Sequence, residues 1–104
     1  MGKPSRDKGA RFEREIVAIA QAHDLNAVRV PLSGATTFAK GDVVVSNDVD
    51  SWTIEAKKRA AGFRTIYRWL EKDCDLLVIG ADRKAALAVL PLADFFDLLA
   101  GRHT

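Results

Sequence analysis

Three acidic residues and a lysine in the first half of the chain could together act on a phosphate group: Glu13, Asp42, Glu55 and Lys57. Glu55 and Lys57 are two positions apart, so they share one face if their segment is a strand. Asp42 opens the preceding predicted strand, and two carboxylates on neighbouring strands can converge on one cation. Hard oxygen ligands favour Mg²⁺, with Mn²⁺ as a substitute. Because such a cation activates water and neutralises charge on a phosphoryl group, the pattern predicts metal-dependent phosphodiester hydrolysis.

Glu13 lies on the apolar side of its predicted helix. Phe12, Ile16 and Ala20 recur at helical spacing with Val17 beside them, and Glu13 falls inside the same apolar arc. A carboxylate on a buried face is costly unless it is paired or binds a metal ion. The alternative is a boundary residue that reaches solvent or pairs with an arginine. A lone Glu-x-Lys also has an ordinary alternative, a solvent-facing salt bridge, and it is the ordered set that favours a site.

Positioning these residues requires a helix followed by strands, and the hydrophobic pattern predicts three helices and five strands. The expected order is α-β-β-β-α-β-β-α, with limits at 7–23, 26–31, 42–46, 51–57, 62–73, 75–80, 86–90 and 92–100. This order is typical of the α/β class, with a mixed sheet of about five strands flanked by helices. The short apolar run 75–80 is expected to be a central strand covered on both sides. Gly101 is expected to cap the last helix.

Length and composition predict one globular domain over residues 1–104, in which residues 1–6 form a flexible basic arm. Hydrophobic residues make up 48% of the chain and charged residues 29%, which excludes a disordered chain. No apolar run approaches a membrane span, and the N-terminal segment lacks the apolar stretch of a signal peptide. The single cysteine, Cys74, allows no internal disulfide and fits a reducing compartment. We therefore expect a cytoplasmic protein with no membrane partner and no small-molecule cofactor.

The distribution of charge says more than the net charge of +2. Residues 1–11 and 57–72 are strongly basic, whereas residues 42–55 contain four acids and no base. Two basic segments around an acidic one suit a protein that binds a polyanion with a metal site at its centre. The alternative is a set of solvated faces with chance clustering.

The ordered motifs resemble the PD-(D/E)XK nuclease superfamily, and more closely the archaeal and phage Holliday-junction resolvases. Lys8-Gly9 followed by Phe12-Glu13-Arg14-Glu15 is similar to their opening K-G-x-x-x-E-R-E helix. The run Ala27-Val28-Arg29-Val30-Pro31 with Ser33-Gly34 is similar to their A-V-R-V strand and S-G loop. Gly41-Asp42 stands where the family has Pro-Asp, and Ile54-Glu55-Ala56-Lys57 where it has I-E-x-K. The likeness covers about residues 8–57 and implies a restriction-endonuclease-like fold.

The resemblance implies a role for each matching position. Asp42 and Glu55 would ligate the metal ion, with the Ala56 carbonyl as a third ligand. Glu13 would complete the site directly or through water. Lys57 would orient or deprotonate the attacking water, or stabilise the pentavalent phosphate, and these roles stay open at this point. Ser33 would lie on a loop near the scissile strand.

Basic residues around this set are the expected DNA contacts. By resemblance, Arg14 and Arg29 would bind phosphates. Arg64, Arg68 and Lys72 recur every four residues on the second predicted helix and could follow a phosphate backbone, with an ordinary solvated face as the alternative. The expected DNA-binding set is Lys8, Arg11, Arg14, Arg29, Lys40, Lys58, Arg59, Arg64 and Arg68.

Trp69 lies off the apolar face of the second predicted helix, and a tryptophan in that position often marks a partner surface. Four-way junctions are two-fold symmetric and cutting two strands needs two active sites, so a homodimer is the natural assembly. We expect Trp69, with Phe63 and Tyr67, in its interface. The alternative is that Trp69 packs under the N-terminal arm.

Residues and resemblance together predict a homodimeric, Mg²⁺-dependent endonuclease that acts on branched DNA in a prokaryotic or phage-infected cell. Recognition of shape rather than sequence is expected, because no segment resembles a base-reading helix. One alternative is the same chemistry with a restriction-like or repair role. Another is a non-catalytic DNA-binding module of the same fold, and a third is a small structural protein with a chance Glu-x-Lys.

Overall fold

The computed structural model describes residues 2–30, 42–71 and 73–101, with side chains from residue 8 onward. Within these ranges the predicted order α-β-β-β-α-β-β-α and the α/β class are confirmed. The elements are α1 (Gly2–Ala22), β1 (Asn26–Arg29), β2 (Val43–Ser46), β3 (Ser51–Ile54), α2 (Arg64–Leu70), β4 (Leu77–Ile79), β5 (Leu87–Val89) and α3 (Leu92–Leu99). The chain divides into two compact units, Met1–Lys58 with Phe96–Thr104, and Arg59–Phe95.

In the part of the chain that the structure describes, the strands form two antiparallel sheets, where the sequence predicted one mixed sheet. β1, β2 and β3 form a sheet in that order, so among the described residues the larger sheet has three strands instead of about five. β4 pairs with β5 through the short connection 80–86, which favours local antiparallel pairing. The side chain of Val78 on β4 is exposed. The prediction of a central, doubly covered strand at 75–80 was therefore wrong.

Helix α1 begins at Gly2 instead of at Asp7, so the segment predicted to be a flexible arm is helical. Pro4 is tolerated there because the first N–H groups of a helix have no intrahelical acceptor. At the other end, Leu25 N donates to Ala20 O at 3.1 Å and Asp24 N donates to Gln21 O at 3.0 Å. Asp24 adopts the left-handed conformation, with φ 63°. This Schellman motif ends the helix and turns the chain into β1.

The core of the first unit lies between α1 and one face of the three-stranded sheet. Val43 and Val45 on β2 are fully buried, and Val44 between them is only half-buried. Ile16 and Ala20, one helical turn apart on α1, are buried as well. Each fully buried valine stabilises the fold by about 1.5–3 kcal/mol relative to an exposed one. The alternation along β2 therefore fixes which strand positions face α1.

Helix α3 adds Phe96, which is fully buried, to this core. The ring of His23 lies edge-on to Phe96 with centroids 6.1 Å apart, and its Nε2 lies 3.3 Å from Asp97 Oδ1. Asn47 Nδ2 donates to Leu99 O at 2.9 Å, which connects the β2–β3 turn to the end of α3. Gly101 follows with φ 75°, so its predicted role as a helix cap is confirmed.

The second unit contains α2 and the β4–β5 hairpin. Phe63, Ile66 and Leu70 are half-buried, as the predicted apolar face requires, and they line a groove of about 460 Å³ together with residues 89–92. Tyr67 lines the same groove, as predicted, although its side chain is 65% exposed. Helix α2 is shorter than predicted, since it spans Arg64–Leu70 and not 62–73.

Replacing Phe96 with alanine should lower the free energy of unfolding by about 3–5 kcal/mol, because the substitution leaves a cavity in the core of the first unit. Leu98→Ala on the same helix is the matched control, since Leu98 is exposed. Chemical denaturation of both variants measures the difference. Equal losses of stability in the two variants would contradict the assigned packing of α3.

Candidate active site

Three strand ends meet at one edge of the larger sheet. β1 ends at Arg29, β2 begins at Val43 and β3 ends at Ile54, and these three residues are register partners. Because the neighbouring strands are antiparallel, a residue that precedes β2 lies beside one that follows β3. Asp42 and Glu55 occupy these two positions. Val30 N donates to Asp42 O at 2.9 Å, which extends the pairing with β1 past the strand end.

The backbone at Asp42 departs from the regular ladder. Asp42 N donates to Ile54 O at 2.8 Å, although Ile54 is the register partner of Val43. Two successive residues of one strand thus oppose one residue of the other, which is the arrangement of a β-bulge. A bulge changes the direction of the side chain it carries, and bulges are frequent beside active sites.

The carboxylate of Asp42 is fixed next to Glu55. Ala56 N donates to Asp42 Oδ2 at 2.8 Å, and this amide belongs to the peptide bond that directly follows Glu55. Within the described ranges, Oδ1 of Asp42 accepts no hydrogen bond. One oxygen is therefore used for orientation, and the other remains for a ligand.

Glu55 and Lys57 point to the same side, as the sequence predicts. Strand β3 ends at Ile54 and not at Lys57, but half-buried and exposed side chains alternate through residue 57. Lys57 Nζ lies 3.2 Å from Glu55 Oε2, and the two side chains are 64% and 59% exposed. Trp52, Ile54 and Ala56 take the half-buried side. The Glu-x-Lys pair is thus open to a substrate.

Glu13 is paired with an arginine, the alternative that the sequence left open. Arg29 Nε donates to Glu13 Oε1 at 3.0 Å. The Glu13 side chain is 13% exposed and that of Arg29 is 32% exposed. Arg29 is two residues after buried Ala27, so the two side chains lie on the same face of the sheet. Glu55 is two residues after exposed Thr53 and shares the exposed face with it. The Glu13–Arg29 pair and the Glu55–Lys57 pair therefore belong to different faces of the sheet.

The oxygen donors of the site fit a magnesium ion that is bound by two carboxylates. Among the residues with described side chains, no three acids, histidines or cysteines are grouped so that they could bind a metal ion. Asp42 and Glu55 are neighbours, and the Ala56 carbonyl belongs to the same segment. Mg²⁺ is commonly bound by one or two carboxylates while it keeps several waters. The predicted role of Glu13, which would complete the site directly or through water, stays a prediction.

Lys58 contacts α1 in a way that the sequence pattern did not indicate. Its Nζ lies 5.1 Å from the centroid of the Phe12 ring and 3.8 Å from Glu15 Oε1. The apolar spacing of Phe12 predicted only a core residue, and no local signal pairs a helix with a segment so far along the chain. Helix α1 therefore contacts the exit of β3 as well as Arg29 at the end of β1.

Most of the other residues expected to contact DNA are exposed, and the remainder lie outside the described residues. Five arginines are exposed, and no ion pair involves them within the described ranges: Arg11, Arg14, Arg59, Arg64 and Arg68. Lys8 is exposed too. Ser33, Lys40 and Lys72 lie outside the described residues, so their roles stay predictions.

A family model described as archaeal Holliday junction resolvase (hjc) matches residues 4–86. The chain belongs to this family. Neither the curated proteins nor the solved structures gave a match. The Hjc match extends the resemblance carried by residues 8–57 through α2 and β4. Membership in this family implies a nuclease that acts on branched DNA. No helix within the described ranges is long and apolar enough to cross a membrane.

Glu13 and Glu55 differ in burial, so replacing them should lower the free energy of unfolding by different amounts. Glu55→Gln should change the free energy of unfolding by less than about 1 kcal/mol, because Glu55 is largely exposed and its ion pair is solvated. Glu13→Gln should cost about 1–3 kcal/mol, since it replaces a charge-assisted hydrogen bond in a half-buried place. Urea denaturation compares the two. A larger loss for Glu55→Gln would contradict the assignment of Glu13 to the structural pair.

Proposed function

We propose that this Hjc-family protein is a Mg²⁺-dependent, structure-selective endonuclease that hydrolyses phosphodiester bonds in four-way DNA junctions. The observation that carries the proposal is the juxtaposition of Asp42 and Glu55 through the hydrogen bond from Ala56 N. Beside this pair lies an exposed lysine, Lys57. Family membership supports the substrate class.

The chain's own residues have separable tasks in this proposal. Asp42, Glu55 and the Ala56 carbonyl would bind the metal ion, and Asp42 keeps its orientation through the Ala56 amide. The bound ion would supply an activated water and polarise the phosphoryl oxygen. The Nζ of Lys57 forms an ion pair with Glu55, and an ammonium group carries three hydrogen-bond donors. Donors therefore remain at Lys57 for the attacking water or a phosphate oxygen.

Exposed basic residues support recognition of the DNA backbone rather than of base sequence. Arg11 and Arg14 on α1 are exposed, as are Arg64 and Arg68 on α2. Contacts from such side chains to phosphates position a protein without reading bases. We also propose that residues 1–104 function as one nuclease domain. Since its substrate would be a recombination intermediate, we propose an intracellular site of action in a prokaryote or a phage-infected cell.

Incubation with a mobile four-way junction should give paired nicks in the presence of Mg²⁺, and no cleavage in EDTA. Asp42→Asn should slow cleavage on the order of a thousandfold while junction binding persists, because it removes a metal ligand and its charge. Asp48→Asn is the matched control, since Asp48 is an exposed acid in the β2–β3 turn. Gel electrophoresis of labelled strands measures the rates.

The same assay separates the alternatives. Equal cleavage of a linear duplex of the same length would favour a restriction-like or repair nuclease. Binding of the junction without any cleavage in Mg²⁺ or Mn²⁺ would favour a non-catalytic module. Undiminished cleavage by Asp42→Asn would remove Asp42 from the proposed metal site.

We further propose that the active enzyme is a homodimer whose interface includes the outer surface of α2. Trp69 is 47% exposed and Tyr67 is more exposed still, and large exposed aromatics are enriched in protein interfaces. Half-buried Phe63 is the N-cap of this helix, one turn before Tyr67. A two-fold symmetric substrate with two scissile strands matches a two-fold symmetric enzyme.

Trp69→Ala should weaken dimerisation about thirtyfold, which is typical for truncating an interface hot spot. Sedimentation equilibrium over a range of protein concentrations measures the dissociation constant. Val49→Ala provides the control, because Val49 is an exposed apolar residue in the β2–β3 turn. An unchanged dimer in the Trp69 variant would place the interface elsewhere.

A further inference from the structure

Segment 55–58, which carries Glu55 and Lys57, continues past the regular strand. Strand β3 ends just before it, so the segment lies beyond the last register pair of the sheet. Within the described ranges, the backbone of these four residues makes one hydrogen bond, from Ala56 N to Asp42 Oδ2 at 2.8 Å. A segment with so few backbone hydrogen bonds depends on side-chain contacts to hold its conformation. Those contacts therefore influence where Glu55 and Lys57 lie.

Lys58 connects the end of this segment to helix α1. Its Nζ lies 5.1 Å from the centroid of the Phe12 ring and 3.8 Å from Glu15 Oε1. Phe12 and Glu15 are three residues apart on α1, so their side chains are neighbours on the helix surface. An aromatic ring face and a carboxylate both attract an ammonium group. The two side chains thus form one binding place for Lys58.

Lys57 and Lys58 contact groups on different sides of the sheet. Half-buried and exposed side chains alternate along the segment through Lys57, as in a strand, where successive side chains point to opposite faces. Lys57 pairs with Glu55 on the exposed face, with 3.2 Å between Nζ and Oε2. Lys58 instead contacts α1, the helix that packs on the face of buried Val43 and Val45. A contact that holds Lys58 against α1 therefore keeps Lys57 turned towards Glu55.

We propose that Lys58 is a positioning residue, which anchors segment 55–58 to Phe12 and Glu15 and thereby holds Lys57 at the exposed face of the sheet. The inference rests on the proposed function and adds to it a residue that acts through Lys57. The alternative is a contact to a DNA phosphate, which the sequence predicted for Lys58. The two roles differ in what they change, because an anchor affects the rate of cleavage and a phosphate contact affects the affinity for DNA.

The first measurement is the rate of amide hydrogen exchange at Ala56, read by NMR in the protein without DNA. Lys58→Met should speed this exchange about threefold or more, because losing the ion pair and the cation–π contact lets the segment open more often. Glu15→Gln should speed the exchange as well. The two substitutions change the net charge in opposite directions, so acceleration by both cannot come from charge alone.

Three further variants complete this measurement. Lys58→Arg keeps the charge and can stack on an aromatic ring, so exchange at Ala56 should stay within about twofold of that in the unsubstituted protein. Lys84→Met and Glu71→Gln are the matched controls, because both residues are exposed and lie in the other compact unit. Neither control should change the exchange. An unchanged rate at Ala56 in Lys58→Met would overturn the inference.

The second measurement separates cleavage of a four-way junction from its binding. At saturating protein with Mg²⁺, under single-turnover conditions, Lys58→Met should cleave about threefold or more slowly, and Lys58→Arg should recover most of the rate. Affinity for the junction in EDTA at physiological salt should stay within about twofold for both variants. Glu15→Gln should also cleave more slowly, although it makes the protein more positive.

An unchanged single-turnover rate in Lys58→Met contradicts the proposed anchor. If the unchanged rate is accompanied by weaker binding and a salt slope that is lower by about one, Lys58 is a phosphate contact instead. Failure of the proposed function has a different signature, in which the unsubstituted protein itself does not cleave the junction. Exchange at Ala56 tests the anchor independently of any DNA substrate.

Discussion

The register between β1, β2 and β3 is the constraint on which the rest of the site depends. Val43 and Val45 are fully buried, so a slip of one residue would move both to the open face of the sheet and replace them with half-buried Val44 and Ser46. The same register sets Asp42 opposite the end of β3, where its carboxylate meets the amide of Ala56. Core packing therefore determines the position of the proposed metal ligands.

Two glutamates of helix α1 form ion pairs with basic side chains near that edge of the sheet. Glu13 bonds to Arg29 at the end of β1, and Glu15 with the Phe12 ring contacts Lys58 after β3. Exposed ion pairs such as that of Lys58 stabilise a fold by at most about 1 kcal/mol, and a cation–π contact adds a similar amount. Breaking a half-buried pair such as Glu13–Arg29 is more costly, because one charge then loses its partner. Of these two ion pairs of α1, Glu13–Arg29 therefore stabilises the fold more than Glu15–Lys58.

Sequence alone could predict those parts of the fold and site that depend on local pattern. The alternation at 51–57 placed Glu55 and Lys57 on one side, and the glycine at 101 marked the end of α3, since both features arise within a few residues. The partner of Glu13 could not be predicted, because helical periodicity indicates burial but not which strand residue lies opposite. The apolar run at 75–80 was misassigned for a related reason. An apolar strand has the same pattern in a central position and in a hairpin with exposed Val78, and only tertiary pairing distinguishes them.

The two ion pairs at the sheet edge, Glu55–Lys57 and Glu13–Arg29, differ in how readily a ligand can replace one partner. Glu55 and Lys57 are both mostly exposed, so their attraction is weakened by solvent and ions, and a phosphate or a cation can replace either partner at little cost. Glu13 is largely shielded, and releasing Arg29 would leave its carboxylate without compensation. A ligand that enters this edge would therefore redistribute the contacts of Glu55 and Lys57 while Arg29 keeps its bond to Glu13.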